Sequence, residues 1–140
     1  MSGFCLRCSR KALIQLPESD PTITFFRCPS CLRQYAQRRE QMLTYRWGHP
    51  ISLALYNWSF SSEPECGYAQ QTAREIIDRR SQEDSEAFLK EIELELAEPT
   101  QQVRDILGTQ ASEVSCREFL SSVVSLTRSL VHKRNALGTL

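Results

Sequence analysis

Two Cys-x-x-Cys pairs near the start of the chain constrain it more than any other feature. Cys5-Leu6-Arg7-Cys8 is followed by nineteen residues and then by Cys28-Pro29-Ser30-Cys31. A gap of two lets the backbone turn tightly, so that both sulfurs of a pair face one point. The intervening segment must then fold back to set the second pair opposite the first. Four thiolates so arranged complete a tetrahedron around one Zn²⁺ and leave no coordination position for water, the hallmark of a structural site. Iron is the alternative metal, because a tetrahedral set of four sulfurs also suits it.

The 140-residue length allows one domain, or one small domain with an appendage. Charge is unevenly spread although the total is zero. Residues 1–50 hold eight basic and three acidic side chains, net +5, and residues 51–140 hold nine and fourteen, net −5. Such polarity suits two partners, or two halves that attract each other. The N-terminus carries no apolar run of the signal-peptide kind, and the longest apolar-rich stretch, Ile51 to Phe60, is too short to span a bilayer. These features point to a cytoplasmic, reducing compartment and to paired cysteines that bind metal rather than form disulfides.

Between the pairs, Ala12 to Leu16 reads as a short strand, Pro17 to Pro21 as a turn, and Thr22 to Arg27 as the returning strand, rich in β-branched and aromatic residues. Phe4 is expected to pack beside the site. Beyond the second pair the chain continues through Leu32 to Tyr35. Met42 to Trp47 alternates again, with Leu43, Tyr45 and Trp47 on one face of a further strand. This pattern resembles a zinc ribbon over residues 4–48, and the resemblance implies a hairpin carrying two knuckles, with Cys5, Cys8, Cys28 and Cys31 as ligands. Ribbon knuckles commonly carry glycine just after the second cysteine. Here those positions are Ser9 and Leu32, where a side chain makes positive φ costly.

Gly48-His49-Pro50 breaks the strand, and Ile51 to Trp58 fits a short helix better than a strand. Ser62-Glu63-Pro64-Glu65 is a capping-box pattern for a helix reaching about Arg80. Ser81 opens another, with Phe88, Leu89, Ile92 and Leu96 inward, until Pro99 stops it. A short piece over Thr100 to Leu107 ends at Gly108. The last helix begins near Ser112 and carries a broad stripe from Cys116 through Phe119, Leu120, Val123, Val124, Thr127 and Leu130 to Val131. The fold class is therefore α+β. A ribbon-like hairpin or small antiparallel sheet over residues 1–60 precedes a segment of three to four helices over residues 61–140.

Arg33, Arg38, Arg39 and Arg46 with Tyr35, Tyr45 and Trp47 offer a face for nucleic acid or for a protein partner. The competing reading is local: a metal with four thiolates carries −2, and nearby cations including Arg7 and Arg33 offset it. The acids Glu83, Asp84, Glu86, Glu91, Glu93, Glu95 and Glu98 read as a solvated helix face, or as a surface that docks on the basic half. His49 is read as a turn residue rather than a ligand, and Cys116 as a small core residue. No phosphate loop, His-Glu-x-x-His or nucleophile–base pair is present. Together these features favour a non-catalytic zinc-binding adaptor with a protein partner. A nucleic-acid-binding ribbon and a rubredoxin-like iron carrier are the alternatives.

Overall fold

The computed structural model describes residues 4–8, 12–18, 20–38, 42–59, 66–107 and 111–138; at 57–59, 66 and 135–138 it describes backbone only. The chain forms a four-stranded antiparallel sheet followed by four helices, an α+β arrangement. Strands β1 (Ile14–Gln15), β2 (Ile23–Arg27), β3 (Gln34–Arg38) and β4 (Thr44–Tyr45) lie in chain order, each paired with the next. Register follows from the alternation in Ile-Thr-Phe-Phe-Arg. Phe26 faces Tyr35 across the β2–β3 pair, and Tyr35 faces Tyr45 across β3–β4, so the three rings share the face turned to the helices. Phe25 faces Ala36 on the other side, where Ile23 and Leu16 complete a small satellite cluster.

Trp47 does not share the face of Tyr45, as strand alternation would have it. The strand ends at Tyr45, and the turn that follows needs positive φ at Gly48 (+100°), a conformation open to glycine. The turn carries Trp47 to the far side, edge-on to Phe25 with ring centroids 6.5 Å apart. Phe4 also departs from expectation: it forms an isolated bridge with Ala12 and its side chain is exposed.

Helix α1 (Pro50–Ser59) starts with proline in its first turn, where a missing N–H costs nothing. His49 caps it. The Ile51 N–H donates to His49 Nδ1 at 3.2 Å, and the Ser52 hydroxyl donates to the His49 carbonyl at 2.8 Å. Helix α2 (Cys66–Asp78) follows, while the capping box at Ser62 lies outside the described residues. Helix α3 (Gln82–Ala97) has Ser81 as its N-cap, accepting from the Asp84 N–H at 3.1 Å, with Glu83 and Asp84 placed favourably against the helix dipole. A 3-10 turn at Val103–Asp105 leads to α4 (Glu113–Gly138), whose first turn is capped by Ser112.

The α2–α4 interface is the largest among the helices, and α1 packs on α2, α3 and α4. One apolar core runs through both parts, from Leu13, Phe26 and Tyr35 to Leu55, Leu89, Ile92, Leu120 and Val123. Cys116 sits inside it, and burial pushes its thiol up to about 11, as expected of an unreactive core residue. The expected inward face of α3 holds at Phe88, Leu89 and Ile92, but Leu96 is only half-buried. Glu95, read as solvated, is fully buried in its place.

Candidate metal centre

Each cysteine pair is a tight turn that aims N–H groups at its first sulfur. The Cys8 N–H lies 3.4 Å from Cys5 Sγ, and the Cys31 N–H lies 3.5 Å from Cys28 Sγ. The second pair is also the β2–β3 connection, closed by the Cys28 N–H to the Arg33 carbonyl at 2.9 Å and the Leu32 N–H to the Cys28 carbonyl at 3.0 Å. Closing it this tightly puts Leu32 at φ +64°, the cost foreseen from the missing glycine. Ser9, the matching position after the first pair, lies outside the described residues.

The four sulfurs of Cys5, Cys8, Cys28 and Cys31 lie within 4.8 Å of one another. A tetrahedron with metal–sulfur bonds of about 2.3 Å has edges of about 3.8 Å. The Cys5–Cys31 separation of 3.7 Å matches that edge, and no pair of the four is farther apart than 4.8 Å. The donor set therefore fits one metal ion, with Cys5 and Cys28 buried and Cys8 and Cys31 half-buried.

Electrostatics points the same way. Burial opposes ionisation at Cys28, but N–H groups of Cys31 and Ser30 outweigh it and bring the thiol down to about 6. At Cys5 burial is likewise outweighed, chiefly by the Tyr35 hydroxyl 3.2 Å from its sulfur and by backbone N–H groups. Cys8 moves the opposite way, up to about 12, because it donates to the Cys31 sulfur and is further hindered by burial. Four like charges this close cannot all ionise unaided. A cation in their midst removes the conflict.

Around the sulfurs lies a polar shell that reaches into the helices. The rings of Tyr35 and Tyr45 stack 5.4 Å apart, and Tyr45 stacks on His49 at 3.7 Å, nearly parallel. Arg7, between the first two cysteines, donates through Nε to the Tyr45 hydroxyl at 3.2 Å. Its Nη2 lies 3.2 Å from Glu95 Oε1, an ion pair without hydrogen-bond alignment, and its Nη1 lies 3.6 Å from Glu98. Glu95 is further held by the Thr100 N–H at 2.8 Å and by Arg117 at 3.5 Å. Arg33, two residues beyond Cys31, grips Glu91 with two parallel bonds of 2.6 and 2.7 Å. That pairing, with His49 as a second donor, brings the Glu91 carboxyl down to about 2. Because His49 Nδ1 accepts from Ile51, its Nε2 bears the proton donated to Glu91 at 2.9 Å. Burial holds the ring below the usual histidine range despite the Glu91 carboxylate.

The residues read as a face are thus divided. Tyr35 and Tyr45 are buried and cannot stack on a ligand from solution. Arg33 is committed to Glu91. Arg46 pairs with Glu18 and lies 4.1 Å over the Phe25 ring. Trp47 is half-exposed, Arg38 ends β3, and Arg39 lies outside the described residues. The reading of the acids as a surface that docks on the basic half holds at Glu91 and Glu95, which anchor the two cysteine turns; what sequence reasoning missed is that these two of the seven do so, and that Glu95 is buried. A signal existed in their spacing, since positions four apart share one face of a helix, and in the opposite charges of the two halves. No helix among the described residues is long and apolar enough to cross a membrane. No protein-family model, no curated protein and no solved structure matches this chain.

Proposed function

We propose that the chain is a non-catalytic adaptor whose N-terminal part is a zinc ribbon. In this reading Cys5, Cys8, Cys28 and Cys31 hold one structural Zn²⁺, and the rigid surface they create binds a protein partner in a reducing, cytoplasmic setting. The observation that carries it is the double clamp between the cysteine turns and α3, Arg7 to Glu95 and Arg33 to Glu91. All four sulfurs are spent on the metal, and the cations nearest to them are spent on the protein's own carboxylates. Among the described residues, the cations beside the sulfurs, Arg7 and Arg33, are paired with carboxylates, which supports a structural centre over a phosphate-binding one.

The test has two parts. Elemental analysis of purified protein should give one equivalent of zinc in a colourless preparation; a red, iron-loaded protein would favour electron transfer. Affinity capture from the native cells with the intact chain should then return a defined set of proteins that Cys28→Ser loses. Recovery of nucleic acid in their place, resistant to physiological salt and lost in Arg38→Ala with Arg39→Ala, would replace the adaptor with a nucleic-acid-binding ribbon.

A further inference from the structure

Leu32 is an odd residue for its position. Its backbone is left-handed at φ +64°, where glycine would rest at no cost and a Cβ meets the following carbonyl oxygen. The side chain gives no burial in return, being 65% exposed. A large apolar group is therefore presented to solvent, from a strained backbone, at the tip of the second cysteine turn. Across from it stands Trp47, 51% exposed and braced edge-on by Phe25. Between them lies a cleft of about 350 Å³, one wall coming from the second cysteine turn and the other from the β4–α1 turn. That volume is at the low end of small ligand pockets.

Its charge state selects the occupant. Arg33 is bound bidentately by Glu91, and Arg46 is bound by Glu18 and lies over Phe25. His49 has both ring nitrogens engaged, one by Ile51 and one by Glu91. Every basic group lining the cleft thus has its counterpart within the chain. A charged occupant would lose its hydration and find no free partner, whereas an apolar one gives up no favourable hydration of its own. Gln34 offers polar capacity at the rim: its Oε1 accepts from Arg46, and its amide N–H groups suit a peptide carbonyl. The outer edge of β4 is not the docking element, because the Tyr45 N–H there already donates to the Gln101 side chain at 2.7 Å.

We infer that the cleft between Leu32 and Trp47 is a docking site for an uncharged peptide segment of a partner protein, anchored by an apolar side chain inserted between them. This rests on the adaptor reading and names the surface that does the binding. Trp47 has the attributes of an interface anchor, a large ring fixed by its neighbour before the partner arrives.

The experiment uses the intact, metal-loaded chain and short synthetic peptides with a central Leu, Met or Phe between neutral polar residues. Matched sets carry acidic or basic flanks, and a single-stranded oligonucleotide is run beside them. Nuclear magnetic resonance follows the Trp47 indole N–H and the Leu32 methyl groups. Saturable shifts at both are expected with neutral peptides, and at least about fivefold weaker binding with charged flanks. Trp47→Ala and Leu32→Gly should each weaken binding at least about tenfold, a 1.4 kcal/mol effect. Leu32→Gly is the decisive variant, because it relieves backbone strain: metal content and melting temperature should be kept or raised while binding falls. Absence of saturable shifts with every neutral peptide overturns the inference. So does unchanged binding by Leu32→Gly, preference for charged peptides or the oligonucleotide, or self-association of the chain through this patch. Binding lost in Cys28→Ser but kept in Leu32→Gly would sink the cleft and spare the adaptor. Binding that survives metal removal yet still needs Leu32 and Trp47 would do the reverse.

Discussion

Residues 4–45 gather four cysteines, two of them buried and two half-buried, with two stacked tyrosines and a few apolar side chains such as Leu13 and Phe26. Residues 50–131 bury Ile51, Leu55, Ile76, Leu89, Ile92, Leu120 and Val123, a continuous apolar interior. The helical part thus has the larger apolar interior, while the sheet has few apolar side chains of its own and is expected to lean on its cysteine centre as well as on the core it shares with the helices. The difference teaches that one chain can contain two kinds of stability. The two meet at a boundary made of charge, where Arg7 and Arg33 enter carboxylates of α3.

The largest effect should come from emptying the centre. Apparent metal free energies of about 10–16 kcal/mol in small zinc peptides exceed the roughly 5–15 kcal/mol that holds a typical domain. Cys28→Ser or a strong chelator should abolish the near-ultraviolet signal of Tyr35 and Tyr45, with most helical circular dichroism surviving. A single transition in which both signals vanish together would break the comparison, and the shared core would then be the dominant fact.

Next comes the charged boundary. Glu95 is fully buried and Arg7 is nearly so, at 7% side-chain exposure. Glu95→Ala leaves Arg7 without its carboxylate inside the protein and should cost about 3–5 kcal/mol in urea unfolding. Glu91→Ala removes a pair that is about a quarter exposed, and about 1 kcal/mol is expected. Equal losses from the two would show that burial does not set the strength of the boundary.

A smaller effect should follow acidity. The folded chain holds His49 neutral below its ordinary range, so in mild acid the unfolded chain takes up a proton that the folded chain refuses. This contribution to stability is complete above the unfolded value, near 6.5, and declines as pH falls from there toward the folded value. His49→Gln should flatten that part of the unfolding-midpoint profile. Further down, Glu91 contributes stability above its unfolded value near 4.5 that is lost as pH approaches about 2. A profile unchanged by His49→Gln would show that the ring is not titrating there.

The smallest change concerns the strain at Leu32. Leu32→Gly relieves the left-handed penalty but loosens the unfolded chain, leaving a net gain below about 1 kcal/mol in thermal unfolding. A loss of stability would mean that the leucine side chain contributes more to the turn than its exposure implies.

Local patterns carried much of this architecture into view. The cysteine spacing marked the centre, β-branched and aromatic runs marked β2, Ser81 marked the start of α3, and the apolar stripe marked α4. Even the strain at Leu32 was visible, because the glycine that would avoid it is missing. What escaped were features set by distant partners. Nothing in the run Glu91, Glu93, Glu95, Glu98 singles out Glu95 as interior, since Arg7, which sits against it, arrives from the opposite end of the chain. Tyr35 and Tyr45 look like surface rings until the helices cover them, and the turn at Gly48 reverses Trp47 against strand periodicity.

The clamp between the cysteine turns and α3 also has a consequence in time. Translation proceeds from the N-terminus, so all four cysteines and both arginines are made before Glu91 and Glu95 exist. At about 5–20 residues per second the interval is roughly 3–12 s. Throughout it the Arg7 and Arg33 guanidinium groups have no α3 carboxylates to meet, and their places in the sequence keep them within two residues of a cysteine. Their positive charge favours thiolate over thiol, the form that captures a metal. Arrested nascent chains ending before α3 should therefore take up metal, and Arg7→Ala with Arg33→Ala should slow that uptake; unaltered uptake would refute the idea. Slower uptake in that variant would give the two cations that join sheet to helix in the finished protein an earlier role, at the site while it is still being made.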